Sequence, residues 1–82
     1  MKIALTQDTP TSRQWSVKVP APGDFDREYR VTSYWHIGSM RKEWLVEVCV
    51  NSAQVQTHWR QIKGRWLIDA VMEWQHKAAS AA

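Results

Sequence analysis

The sequence predicts a mainly β domain: an antiparallel meander of four to five strands, strongly curved into a small barrel or paired face to face with a second copy. Two observations carry this prediction. Apolar residues recur at every second position in several segments, which is the period of a half-buried strand. Clusters of Pro, Gly, Asn and Ser separate those segments, as turns do. If a C-terminal helix forms, the class becomes α+β.

Length and composition indicate a single domain over residues 1–82. The chain is 44% hydrophobic and 23% charged, which is typical of a globular protein and excludes wholesale disorder. Its single cysteine, Cys49, excludes an intrachain disulfide and fits the reducing cytoplasm, where we expect the protein. No apolar run reaches the roughly 18–20 residues that span a bilayer, so we expect no membrane partner.

The elements follow one another along the chain. We predict a short edge strand and loop, then the antiparallel sheet, then a tail or the end of a short helix, at residues 1–13, 14–75 and 76–82. Within the sheet, strict alternation of apolar and polar side chains marks three strands, at residues 14–19, 27–37 and 43–50.

Two predictions compete for residues 55–72. In the first, Lys63-Gly64 is a two-residue hairpin loop in which the glycine supplies positive φ. In the second, a helix begins just before this segment and ends at Gly64, and Trp66, Ala70 and Trp74 beyond it also have helical spacing. We favour the hairpin because its β-branched and aromatic content is typical of strands, and because its register pairs apolar residues over several positions. Only Leu67 and Ile62 break the alternation.

A sheet with one apolar face needs a cover in water. A closed barrel, a helix across the face or a second copy of the chain would each supply one. Helical composition begins only near residue 71, so the predicted helix is too short to cover the face alone. We therefore expect strong curvature, homodimerisation, or both.

The hairpin prediction also places positive charge. In an up-and-down meander, the turns at residues 38–42 and 63–64 lie at the same end of the sheet. The basic residues at that end are Arg41, Lys42, Arg60, Lys63 and Arg65. The formal net charge is only +3, but basic residues grouped at one end attract anions.

Six tryptophans supply the aromatic area that a small core needs. Those that fall on the apolar phase of their strands, and are therefore predicted in the core, are Trp15, Trp35, Trp44, Trp59 and Trp66. Tyr34 falls on the opposite phase of its strand and is the predicted exposed aromatic.

The sequence contains no motif for catalysis, metal binding or cofactor binding. Its three glycines lie far apart, which excludes a phosphate-cradling loop. His36, His58 and His76 lack the short spacing of common zinc sites. We therefore predict no enzyme activity, no catalytic residue, no metal and no cofactor.

The segment from Trp59 to Val71, WRQIKGRWLIDAV, resembles the closing hairpin of many domains of the nuclear transport factor 2-like family. The resemblance covers about a sixth of the chain. It implies a curved hairpin at this position and implies no functional residues.

These observations predict a small, non-enzymatic binding module. It engages an anionic partner, either nucleic-acid phosphates or an acidic protein surface, through the basic end of the sheet. The alternative is an interaction or inhibitor protein of the mobile-element type, acting through a strand edge or an apolar face. A third prediction is a dimer that binds a small ligand, with Trp35 or Trp59 lining the site.

Overall fold

The computed structural model of the chain describes residues 1–21, 26–52 and 55–80. It contains five strands and one helix: β1 (Lys2–Asp8), β2 (Ser12–Pro20), β3 (Asp26–His36), β4 (Arg41–Ser52), β5 (Val55–Gln61) and α1 (Arg65–Ser80). All strand pairs are antiparallel, and the order in the sheet is the order in the chain. The predicted mainly β meander is confirmed, with the helix making it α+β. Because β1 and β5 lie at opposite edges, the sheet is open and is not a closed barrel.

The strand register gathers apolar side chains on one face of the sheet. Val31 of β3 lies directly opposite both Trp15 of β2 and Val46 of β4. The neighbouring row places Tyr29 between Val17 and Val48. Residues directly opposite each other project to the same side, so both rows form one apolar surface. We call this side the helix-side face and the other side the open face.

Helix α1 covers the middle of the helix-side face. Leu67 and Val71 lie one turn apart on the same side of the helix, and both are fully buried. Ile68 and Trp74 are partly buried against the same core. Burial of an aliphatic side chain such as Leu67 or Val71 contributes about 1.5–3 kcal/mol to the free energy of unfolding, so the helix and the sheet stabilise each other.

The predicted hairpin at Lys63-Gly64 is wrong. Residues Val55–Gln61 form a strand as predicted, but the chain from Arg65 onward is a helix, and the sheet ends at Gln61 rather than at residue 75. The competing prediction is wrong before Gly64, because that segment contains β5, but its helical spacing of Trp66, Ala70 and Trp74 is confirmed by α1. Leu67, which broke the strand alternation, is a fully buried residue of the helical stripe.

Gly64 is required for space rather than for positive φ. A Cβ atom there would lie 2.9 Å from Cγ1 of Val46 and 3.1 Å from Cδ1 of Leu67, and the φ of Gly64 is outside the left-handed region. Its carbonyl oxygen accepts a hydrogen bond from the Leu67 N–H at 3.0 Å. Gly64 therefore lets the chain turn closely over β4 and begin the helix.

The open face is polar, so the sheet is stable with a helix covering only its other face. The molecule measures 39 × 35 × 20 Å and exposes 6317 Å², whereas a compact monomer of 9.6 kDa exposes about 5,100 Å². The larger exposed area is typical of a flat protein with two layers, here one sheet and one helix. Polar side chains such as Ser16, Arg30 and Glu47 occupy the centre of the open face, so it needs no second apolar layer.

Candidate functional site

A groove of about 350 Å³ lies on the helix-side face, where β3 begins and β4 and β5 run side by side. Two arginines line it, Arg27 of β3 and Arg60 of β5. The remaining lining residues are Val48, Cys49, Val50 and Ile62. We call this site the basic groove. It combines two cationic groups with the aliphatic residues Val48, Val50 and Ile62.

The strand register brings the two arginines to one face. Arg27 lies opposite Val19, and Val19 packs against the core. In β3 itself, Arg27 lies two positions before the buried Tyr29. Arg60 lies opposite Val48. Because cross-strand partners share a side, both guanidinium groups belong to the helix-side face. His58, opposite Val50, is exposed on the same face.

Among the side chains that the structure describes, the arginines of the basic groove have no ion-pair partner, which makes the groove electropositive. Among those described side chains, no carboxylate oxygen lies within 4.0 Å of the charged group of Arg27 or Arg60, and no carboxylate residue lines the groove. Other basic residues are neutralised: Arg13 pairs with Asp8 at 3.1 Å. An unpaired guanidinium retains its hydrogen-bond donors for a ligand.

The structure does not bring the five predicted basic residues together. Arg41 and Lys42 begin β4, whereas Arg60 lies opposite Val48, six positions further along that strand. At about 3.3 Å per residue, roughly 20 Å separates Lys42 from the level of Arg60. The single basic end was derived from the hairpin that the helix replaces.

The other predicted basic residues lie near the helix start. Lys63 is exposed in the connection between β5 and α1. Arg65 is the first residue of α1 and donates to Asp69 at 3.3 Å, while Arg41 lies 3.7 Å from Glu43. Among the described residues, Lys42, Arg60 and Lys63 therefore remain without an ion pair.

Sequence reasoning missed Arg27. Its signal was present, since Arg27 shares the alternation phase of Tyr29 and Val31, which were assigned to the apolar side of the strand. A positive charge on an apolar phase near the end of a strand marks the rim of a covered face, where a long side chain reaches solvent.

The aromatic predictions are partly corrected. Tyr34, the predicted exposed aromatic, is half-buried on the open face. Trp15 is buried as predicted and stacks on the half-buried Trp44 with ring centroids 5.7 Å apart. Trp35 and Trp66, predicted in the core, are 49% and 50% exposed. The alternation of a strand did not apply to Trp66 because it lies on a helix.

Trp59 belongs to a cluster on the open face that is already satisfied internally. The Arg30 guanidinium lies 4.3 Å from the centre of the Trp59 ring and donates to Oε1 of Glu47 at 2.9 Å. The arginine and glutamate side chains are only 30% and 14% exposed. This arrangement stabilises the open face and has little capacity left for an external anion.

A larger concavity, of about 570 Å³, lies at the opposite end of the sheet beside the β1–β2 turn. Its lining includes Trp35, Lys42 and the Arg13–Asp8 ion pair. Asp8 neutralises Arg13. Among the described residues that line this concavity, Lys42 is therefore the one cation without an ion pair. The concavity thus attracts anions less than the basic groove does.

Two further properties of the described residues bear on function. Over residues 1–21, 26–52 and 55–80, no group of three or more His, Cys, Asp or Glu residues is placed to hold a metal ion. In the same residues, no helix has both the length and the apolar character to cross a membrane.

Comparison with known proteins adds no relative. No protein-family model, no curated protein and no solved structure matches this chain.

Proposed function

We propose that this protein is a small, non-enzymatic binding module that holds nucleic-acid phosphates in the basic groove. The observation that carries the proposal is the pair of arginines, Arg27 and Arg60, which share one groove and have no carboxylate partner among the described side chains. Its contacts are made to the backbone of the nucleic acid, and such contacts give affinity without reading sequence.

The chemistry of the guanidinium group favours a phosphate ligand. Its planar fork donates two parallel hydrogen bonds to one phosphate, which combines charge neutralisation with fixed geometry. Val48, Val50 and Ile62 line the groove beside these arginines and carry no charge that competes with them. Two such forks on one groove suit a strand that presents successive phosphates.

A salt titration tests this function. We expect an oligothymidine of about 12 nucleotides to bind about 5- to 20-fold more weakly when salt rises from about 50 to 200 mM, since two or three displaced counterions give that slope. Fluorescence anisotropy of a labelled oligonucleotide measures it. Affinity that stays flat across this range contradicts phosphate binding.

A matched pair of double variants locates the site. Arg27→Ala with Arg60→Ala removes two charges from the basic groove. Lys2→Ala with Lys18→Ala removes two charges from the open face, where these exposed lysines lie directly opposite each other. We expect only the first variant to lose binding. Equal losses would mean that net charge alone drives it.

The remaining anionic partner, an acidic protein surface, is an outcome of the same assay. A polyglutamate peptide of matched charge presents carboxylates without phosphates. We expect it to compete poorly with the oligonucleotide. If it competes as well as unlabelled oligothymidine, the groove serves carboxylates and the nucleic-acid proposal fails.

A second candidate function, contact with a protein or with a second copy of this chain, is favoured by an apolar patch at the β3–β4 turn. Trp35, Ile37 and Met40 are 49%, 79% and 67% exposed, and exposed apolar clusters mark interaction surfaces. Sedimentation equilibrium tests self-association. We expect Ile37→Lys with Met40→Lys to weaken a dimer, and a wild-type chain that stays monomeric at high concentration contradicts the homodimer.

A further inference from the structure

We propose, as an extension that rests on the proposed function, that the partner of the basic groove is single-stranded nucleic acid and that Trp66 is the platform on which one of its bases stacks. The inference starts from an energetic cost. Trp66 is 50% exposed although its ring is among the largest apolar surfaces in the chain. Such exposure is unfavourable in the free protein and is relieved when an aromatic ligand covers the ring.

The ring of Trp66 is held in place by the core. Its centroid lies 5.8 Å from that of Tyr29, and the two rings meet edge to face at 79°. Tyr29 is itself buried in the sheet. The indole is thus held by its packing against Tyr29 while about half of the residue remains exposed, which suits a preformed stacking surface.

The platform lies close to the phosphate-binding arginines. Tyr29, which contacts Trp66, is opposite Val48, and Val48 is opposite Arg60. Neighbouring strands are about 4.8 Å apart, so roughly 10 Å separates the Tyr29 position from the Arg60 position. Val48 lines the basic groove itself. A strand whose phosphates lie in the groove therefore has its bases within reach of the indole.

The proposed platform selects single strands over duplexes. In a duplex the base faces are already stacked on their neighbours, whereas a single strand can present a base to an aromatic side chain. Lys63, exposed and without an ion pair in the described residues, adds a further positive charge beside the helix start. Base stacking is tolerant of sequence, so we expect weak sequence preference.

The experiment compares a normal oligothymidine with an abasic oligomer of the same length, which has the same phosphates and no bases. We expect the wild-type protein to bind oligothymidine about 5- to 100-fold more tightly than the abasic oligomer, the range given by stacking one base. A duplex of equal length is expected to bind more weakly than the single strand.

Three variants assign the difference to Trp66. Trp66→Leu keeps apolar contact with Tyr29 but removes the aromatic face, so oligothymidine is expected to bind no better than the abasic oligomer. Trp66→Phe is expected to recover part of the difference. Trp35→Leu is the matched control, because Trp35 is equally exposed and lies at the other end of the sheet. Circular dichroism and thermal unfolding establish that each variant is folded.

Specific outcomes overturn the inference. Equal wild-type affinity for the two oligomers, duplex affinity equal to that of the single strand, or unchanged oligothymidine binding by Trp66→Leu would each do so. A loss in Trp35→Leu alone would move the platform to the other end. Failure of the proposed function is distinguishable, since it appears as abasic-oligomer binding that Arg27→Ala with Arg60→Ala leaves unchanged.

Discussion

Arg30 on the open face and Arg60 on the helix-side face carry the same guanidinium group in opposite surroundings. Arg30 lies over the Trp59 ring and is paired with Glu47, so most of its donors and its charge are used within the protein. Arg60 shares a groove with Arg27 and has no carboxylate partner in the described residues. The first arrangement is a structural interaction, and the second is suited to a ligand.

The difference shows that charge pairing, rather than charge count, identifies the candidate site. Of the eleven Lys and Arg residues, five form ion pairs within the described residues. The six without an ion pair there are Lys2, Lys18, Arg27, Lys42, Arg60 and Lys63. Among the concavities described above, the basic groove alone is lined by two of these six.

The largest expected effect concerns the core on which both arginine sites depend. Leu67→Ala removes a fully buried side chain between helix and sheet, and we expect a loss of about 2–5 kcal/mol in the free energy of unfolding. Urea denaturation measures it. Met72→Ala, at an exposed position of the same helix, is the control and should cost far less. Equal losses would contradict the packing of α1 described here.

The next effect separates binding from stability. Arg27→Ala with Arg60→Ala is expected to weaken oligonucleotide binding about 10- to 100-fold, because charge-assisted hydrogen bonds are lost. The same variant should change the free energy of unfolding by less than about 0.5 kcal/mol per site, since neither side chain has an ion pair with the side chains that the structure describes. A stability loss larger than this, with binding intact, would make these arginines structural.

A smaller effect is expected from the paired arginine. Glu47→Gln leaves the Arg30 guanidinium half-buried with a neutral partner, which we expect to cost about 1–2 kcal/mol in unfolding free energy. Oligonucleotide affinity should not fall, because the open face takes no part in binding. Chemical denaturation and anisotropy together check both halves. A fall in affinity matching that of the groove variant would erase the distinction between the two faces.

The smallest effect lies at the β3–β4 turn, away from both arginine sites. Met40 adopts a φ of 54°, in the left-handed region that disfavours residues with a Cβ atom. Met40→Gly is therefore expected to stabilise the fold by about 0.5–1 kcal/mol, measured as a shift in the urea midpoint, without changing oligonucleotide affinity. Met40→Ala keeps the Cβ atom and should give no such gain.

Alternation was sufficient to predict β2, β3 and β4, because each has one apolar and one polar side. It also favoured a strand over Val55–Gln61, but it failed from Arg65 onward, where the pattern satisfied both periods. Trp66, Ala70 and Trp74 have helical spacing, and the same segment is rich in strand-forming residues. Tertiary packing decided the outcome, since Leu67 and Val71 fill the apolar face that β2, β3 and β4 leave uncovered.

The candidate site was only partly predictable. Arg60 was predicted as a binding residue. It was wrongly grouped with Arg41, Lys42, Lys63 and Arg65, because the hairpin prediction placed all five residues at one end of the sheet. Its face is set by the pairing of β5 with β4, which turns Trp59 toward the open face opposite Cys49. Placing Trp59 in the core would put Arg60 on the open face. The face of Arg60 therefore follows from cross-strand register rather than from local pattern.

The most direct test of the two arginine environments is a nuclear magnetic resonance titration of the arginine Nε–Hε signals with the abasic oligomer. The account predicts that the Arg27 and Arg60 signals shift and saturate together while the Arg30 signal stays in place. A shift at Arg30 with none at Arg27 or Arg60 would contradict it.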